Sequence, residues 1–268
     1  MAAYLWKPLL IAILYTVTSH FFHKWRWTVK NFNNKSVPYN FGVVLFFWIT
    51  LDYVRPTAIE LQAVDYWFLL SIWLIGWMDD QFGTSFPKGI TGHFRYCFNE
   101  RKMTTGFIKA FGGVILSFLY LLLLLKSGEI SFSEATILSS LLILLPHVLN
   151  LLDTRPLRVM KVGALIYFVI LFQLQGGLLV VPGLLILFLL WFKEEVRERT
   201  MLGDNGAMVF GAYLAVLARY LDGNSIVITL VTICVLLTIL AEKYSISRIV
   251  AKTKLLRAID LFGQRKET

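Results

Sequence analysis

Three short stretches of the chain hold residues whose types and spacing suit phosphate chemistry. The first, Met78-Asp79-Asp80-Gln81-Phe82-Gly83, sets two carboxylates side by side after an apolar run. Adjacent carboxylates raise each other's pKa unless a cation lies between them, so an ion or a basic group is expected there. Helical neighbours differ by about 100°, which lets one carboxylate face a metal or nucleophile while the other faces a basic residue. A solvated helix end accounts for the pair equally well. The second stretch runs Asn150-Leu151-Leu152-Asp153-Thr154-Arg155-Pro156-Leu157-Arg158 and on to Lys161. Asn150 and Asp153 are three apart and share a helical face, and Pro156 favours a turn. Arg155, Arg158 and Lys161 supply donors suited to a phosphate or diphosphate, with an ordinary basic loop as the alternative. In the third, Met201-Leu202-Gly203-Asp204-Asn205-Gly206-Ala207, Asp204 lies between glycines at an expected helix start. There, outward-pointing N–H groups and a carboxylate-bound ion can meet the same phosphate. Asp204 or Asn205 as a plain N-cap fits the same pattern.

The elements that must position these residues are apolar almost throughout. Of 268 residues, 57% are hydrophobic and 16% charged, more apolar surface than one water-soluble core can bury. The bilayer is therefore the expected solvent. Runs long enough to count as spans cover residues 4–22, 41–54, 64–78, 107–125, 135–152, 162–175, 178–192, 206–221 and 225–241. The expected fold class is all-α: a polytopic transmembrane helical bundle of about nine to ten spans, a single integral membrane domain over residues 1–268. The first run, in which Lys7 precedes the apolar stretch Leu9 to Val17, reads as a retained helix, since no small-residue cleavage site follows. The tight Gln175-Gly176-Gly177 connection leaves a tilted or re-entrant element open. Cys97 and Cys234 are too few for a disulfide framework or a cysteine metal site.

Threading the runs alternately puts 20–40, 79–106, 153–161, 193–205 and the tail from 242 on one side. These segments hold every Lys and Arg except Lys7, Arg55, Lys109, Lys126 and Arg219. By the positive-inside rule that side is cytoplasmic, and all three acidic stretches reach it. The net charge of +9 then points to anionic lipid and phosphorylated substrates, with no nucleic acid as partner. Four acids interspersed with bases suit Mg²⁺, which commonly takes one or two carboxylates and completes its shell with phosphate oxygens and water. Two segments read as interfacial: 20–30, where Trp25 and Trp27 interleave with bases, and the tail, where Ile246, Ile249, Val250, Leu256 and Ile259 lie near one helical face. Apart from His147, few ionisable residues fall inside spans, which argues against a transporter.

The ordered set Met78-Asp79-Asp80, Asn150-Leu-Leu-Asp153 and Met201-Leu-Gly203-Asp204-Asn-Gly206-Ala207-Met-Val-Phe-Gly211 resembles the signature of the polyprenyl-phosphate N-acetylhexosamine-1-phosphate transferases, which include the phospho-N-acetylmuramoyl-pentapeptide translocases. Val37-Pro38-Tyr39 is similar to that family's entry to its second helix. The resemblance implies a polytopic enzyme of the plasma membrane with its site at the cytoplasmic face. With Mg²⁺ it would move a sugar 1-phosphate from a nucleotide-sugar, UDP-linked in the family, to undecaprenyl phosphate. Asp79 and Asp80 would be the catalytic pair, joined by Asp153. Asp204, with Asp79, would hold the metal, and Asn150, Arg155, Arg158 and Lys161 would bind substrate. Thr104-Thr105-Gly106 and Lys109, preceded by Lys88 and His93, would form a variant substrate loop; a snorkelling Lys109 and a surface His93 are the alternative. A homodimer is a family expectation. The family's C-terminal histidine-rich segment has no counterpart, since no histidine follows His147, and its Asp-Gly repeat is replaced by Asp153-Thr-Arg-Pro-Leu-Arg158. A non-catalytic binder of polyprenyl phosphate is the second reading.

Overall fold

A computed structural model describes residues 6–56, 59–83, 89–174 and 181–263, without the side chains of 89–91, 93, 94 and 181–184. In chain order the elements are α1 (Trp6–Lys24), β1 (Thr28–Lys30), β2 (Ser36–Pro38), α2 (Phe41–Val54), α3 (Ala63–Phe82), α4 (Gly89–Glu100), α5 (Thr105–Ser127), α6 (Phe132–Leu152), α7 (Arg158–Gln173), α8 (Val181–Val196), α9 (Gly203–Ala218), α10 (Ser225–Lys243), α11 (Ile246–Lys252) and α12 (Lys254–Leu261). The all-α expectation fits. Among the described residues the one addition is a small antiparallel hairpin pairing Thr28 with Pro38, Val29 with Val37 and Lys30 with Ser36. Within the described residues each apolar run overlaps a helix, and α5, α6 and α10 are long and apolar enough to cross a membrane. The Gln175-Gly176-Gly177 connection lies outside the described residues.

Local chemistry sets the ends of the two helices that carry Lys109 and Asn150. Thr104 Oγ1 accepts from the N–H of Phe107 at 3.1 Å and opens α5, while Gly128 at φ 76° closes it in the left-handed conformation. A Ser131/Glu134 capping box starts α6. The tail, expected as one amphipathic stretch, is two short helices with Thr253 between them in extended conformation.

Helix α9 is the centre of the molecule, packed against α2, α3, α6 and α7. Every one of its residues except Asp204 is buried, as suits a helix apolar on all sides. Two glycines allow this approach. A Cβ on Gly76 of α3 would stand 2.6 Å from Asn205 Cα, and one on Gly211 of α9 would stand 2.5 Å from Pro146 Cα in α6. Helix axes this close leave no room for side chains at the crossing.

The end of the molecule away from Asp79 and Asp204 is held by buried charge pairs. Lys7 Nζ binds Asp52 Oδ1 at 3.3 Å and donates to the carbonyl of Arg55 at 2.6 Å. Asp65, fully buried, accepts from Tyr120 (2.5 Å), Tyr220 (2.6 Å) and Arg219 (3.1 Å). Arg219 also reaches Glu129 at 2.8 Å. Lys7 and Arg219, two of the five bases outside the base-rich segments, are thus neutralised internally.

Candidate functional site

The three acidic stretches converge. Asp79 and Asp80 stand on the last turn of α3, Asn150 and Asp153 at the end of α6, and Asp204 on the first turn of α9. The group that joins them is Lys109 of α5, whose Nζ lies 2.5 Å from Asp79 Oδ2 and also binds Asp204 Oδ2. Asn150, with its amide oriented to suit both neighbours, donates to Asp204 Oδ1 at 2.7 Å and accepts from Lys109 Nζ at 3.3 Å. Lys109 thus places a cation between Asp79 and Asp204, whereas Asp80, the adjacent carboxylate, meets N–H donors.

Asp80 has a different task. Its Oδ1 accepts from the N–H of Asp204 at 2.9 Å, and its Oδ2 from the N–H of Asn205 at 2.9 Å and from Asn205 Nδ2 at 2.5 Å. These are donors that the start of α9 would otherwise leave unpaired, so Asp80 caps α9 from a neighbouring helix. Gly203, at φ 75°, makes the turn that presents those N–H groups. Residues 38–42 hold the same segment from the other side: Met201 N–H donates to Pro38 O at 2.8 Å, and Gly42 N–H to Leu202 O at 3.1 Å.

The two carboxyls respond oppositely to this setting. Burial pushes Asp204 up to about 7 against the pull of Lys109, and a hydrogen bond to Asp79 adds to the rise. Asp79 is held below the ordinary carboxylate range: although burial acts upward, the bonds from Asp204 and Lys109 prevail. Burial pushes Asp80 up to about 6, opposed by the N–H groups of Asn205 and Asp204. Asp153 is raised well above its usual value by burial and by the nearby charges of Glu195, Asp204 and Asp80.

The bases of the second stretch divide. Arg155 lies with its guanidinium over the ring of Phe32, 5.3 Å from the centroid, and lines a small cavity with Asp153, Glu195, Glu198 and Thr200. Arg158 and Lys161, expected to meet phosphate, are occupied elsewhere. Arg158 grips Asp260 of α12 through Nε (2.6 Å) and Nη2 (2.9 Å), and Lys161 donates to backbone carbonyls at the end of the same helix. Lys88 and the side chain of His93 lie outside the described residues.

Glu195 belongs to this region and was not singled out from the sequence. It is 4% exposed, and its Oε2 accepts from the N–H of Leu157 at 3.1 Å. Leu157 has φ 65°, a strained setting for a branched side chain, so Glu195 fixes the turn carrying Arg155 and Arg158. Burial pushes its carboxyl up to about 8. The available signal was an acidic pair, Glu194-Glu195, set among the bases Lys193, Arg197 and Arg199. Trp25 and Trp27, read as interfacial, join an aromatic cluster beside the site: their rings are 4.8 Å apart, and Trp27 meets Trp77 at 5.4 Å.

Asp79 and Asp204 face one cation together and are the pair able to share an incoming one. Among the described residues no group of three or more His, Cys, Asp or Glu is arranged to hold a metal. No protein-family model, curated protein or solved structure matches this chain.

Proposed function

We propose that the chain is a multi-pass plasma-membrane enzyme, its acidic cluster at the cytoplasmic face, that transfers a sugar 1-phosphate from a nucleotide-sugar to a polyprenyl phosphate. The observation that carries this reading is the meeting of Asp79, Asp204 and Asn150 at Lys109, from four helices far apart in sequence. Independent helix ends have no reason to focus polar groups on one point at the edge of an apolar assembly. The donor set suits Mg²⁺ brought with a diphosphate, since two carboxylates leave the remaining ligand positions to phosphate oxygens and water. Asp79 and Asp204 would hold that ion, which supplies charge neutralisation for the diphosphate.

The residues of the chain do the rest by positioning. An oxygen of the lipid phosphate forms a bond to the phosphorus that bears the sugar. The bond from that phosphorus to the nucleoside monophosphate breaks, leaving a lipid-linked diphosphate sugar. The attacking phosphate is already anionic near neutral pH, so no strong base is needed. Lys109 exchanges a carboxylate for a phosphate oxygen as substrate enters, and Arg155 offers further donors at the mouth. Asp80 keeps the N–H groups of Asp204 and Asn205 in place, a positioning role.

A second reading, a non-catalytic polyprenyl-phosphate binder, is favoured by one observation: Lys109 already provides a cation between Asp79 and Asp204. Purified protein given undecaprenyl phosphate, Mg²⁺ and a panel of labelled nucleotide-sugars separates the two. Lipid-linked product that disappears in Asp204→Asn is the expected result. Product that persists unchanged in that variant removes the metal assignment, and retained lipid binding with no product from any donor establishes the binder.

A further inference from the structure

Helix α12 has eight residues, none buried, and a helix of that length does not hold itself together in water. One side of it is anchored by polar contacts. Arg158, only 6% exposed, makes the paired contact with Asp260 and a further bond to Ser247 of α11 at 2.8 Å. Lys161 Nζ donates to the carbonyls of Ile259 (2.8 Å), Asp260 (3.0 Å) and Phe262 (2.7 Å), closing the end of α12. Such a cation at a helix C-terminus offsets the unpaired carbonyls there.

The opposite side is apolar and uncovered. Leu255, Ile259 and Phe262, at i, i+4 and i+7, share a face and are 70%, 52% and 74% exposed. Around them Arg248, Lys252, Lys254 and Arg257 are all exposed. The one acid of the two tail helices, Asp260, is turned inward onto Arg158. The outward charge is therefore positive only, beside an apolar stripe. Furthermore, α11 and α12 follow directly from α10, one of the helices long and apolar enough to cross a membrane, which delivers them at the level where that helix ends.

We propose that α12 lies on an anionic phospholipid leaflet, its Leu255, Ile259 and Phe262 in the headgroup boundary, and that Arg158 and Lys161 clamp it to the segment following Asp153. Apolar insertion combined with attraction of basic residues to anionic lipid is the established basis of surface binding by such helices. The bases need not point straight at the lipid, because attraction acts over about a Debye length, roughly 8 Å at physiological salt. This assignment does not rest on the transferase reading.

The test uses the full chain with Leu255→Cys carrying an environment-sensitive fluorophore, in a Cys97→Ser background, with Phe262→Cys as a second label site. Each is reconstituted into vesicles of phosphatidylcholine alone or mixed with phosphatidylglycerol. The expected result is emission roughly threefold brighter and blue-shifted in the anionic vesicles, quenched by lipids brominated in the acyl chain. Replacing Lys252, Lys254 and Arg257 together by Gln should abolish that difference. Equally dim emission in both vesicle types overturns the proposal, as does equal brightness in both, which removes the charge selection. Emission that follows the protein-to-lipid ratio overturns it too, because a second copy of the chain then covers the stripe.

Discussion

At the scale of single residues, Asp79 and Asp80 are neighbours with opposite duties. Asp80 accepts three N–H bonds from the start of α9, whereas Asp79 faces Lys109. An amide at position 80 must turn an NH₂ toward one of those donors. Asp80→Asn is therefore expected to cost about 2 kcal/mol, seen as a lower Tm in detergent. Asp79→Asn should leave Tm within a few degrees while removing the proposed Mg²⁺-dependent transfer. Equal Tm losses in both variants would contradict this division. Glu195 allows a pH test. Its carboxyl is held up at about 8 in the folded chain and returns to the ordinary range on unfolding, so the folded state binds the extra proton. Its contribution to stability is full below the ordinary Glu value and is lost as pH rises toward and through about 8. Glu195→Gln, neutral at every pH, should flatten that part of the stability–pH curve in a thermal-melt series from pH 5 to 9. A curve unchanged by the substitution would show that Glu195 is ionised in the fold.

At the scale of elements, the site depends on how closely α9 approaches its neighbours. Gly76→Ala sets a methyl against the backbone of Asn205, and Gly211→Ala sets one against Pro146. Neither obstacle is the far end of a flexible side chain, so each substitution should destabilise by about 1–3 kcal/mol. Gly113→Ala on α5, with open space at its Cβ, is the neutral control. The two crossings differ in consequence. Gly76 lies against the turn bearing Asp204, so its substitution should reduce activity beyond the stability loss, while Gly211→Ala should act on Tm alone. Thermal melts with specific activity measured on the folded fraction distinguish them.

At the scale of the whole molecule, charge is arranged differently at the two ends. Lys7 and Arg219 sit in buried pairs far from the acidic cluster, while Lys24, Arg26, Lys243, Arg248 and Lys252 are exposed at the other end. Buried pairing limits the positive charge one end presents to its surroundings, and free bases retain it at the other, which is the asymmetry that orients membrane proteins. In intact cells, a membrane-impermeant maleimide should label Asn224→Cys in the turn before α10 and leave Thr154→Cys unlabelled until the membrane is opened. The reverse pattern would invert the orientation on which the proposed cytoplasmic placement of the site depends.

The sequence by itself determined the helical elements and the residues that gather at one end. Apolar runs of span length leave a chain little choice but helix, and polar groups interrupting such runs stand out against them. It marked Asp79, Asp153, Asp204 and Asn150 by type and order. Only the tertiary structure decided which cation joins Asp79, Asn150 and Asp204. Lys109 is 30 residues from Asp79 and 95 from Asp204, and its place between them follows from how α5 packs against α3 and how closely α9 approaches. The same holds for Arg158 and Lys161, which pattern alone assigned to phosphate and which the fold gives to α12. A long basic side chain reaches whichever acid or carbonyl packing brings near, and sequence spacing holds no record of that distance.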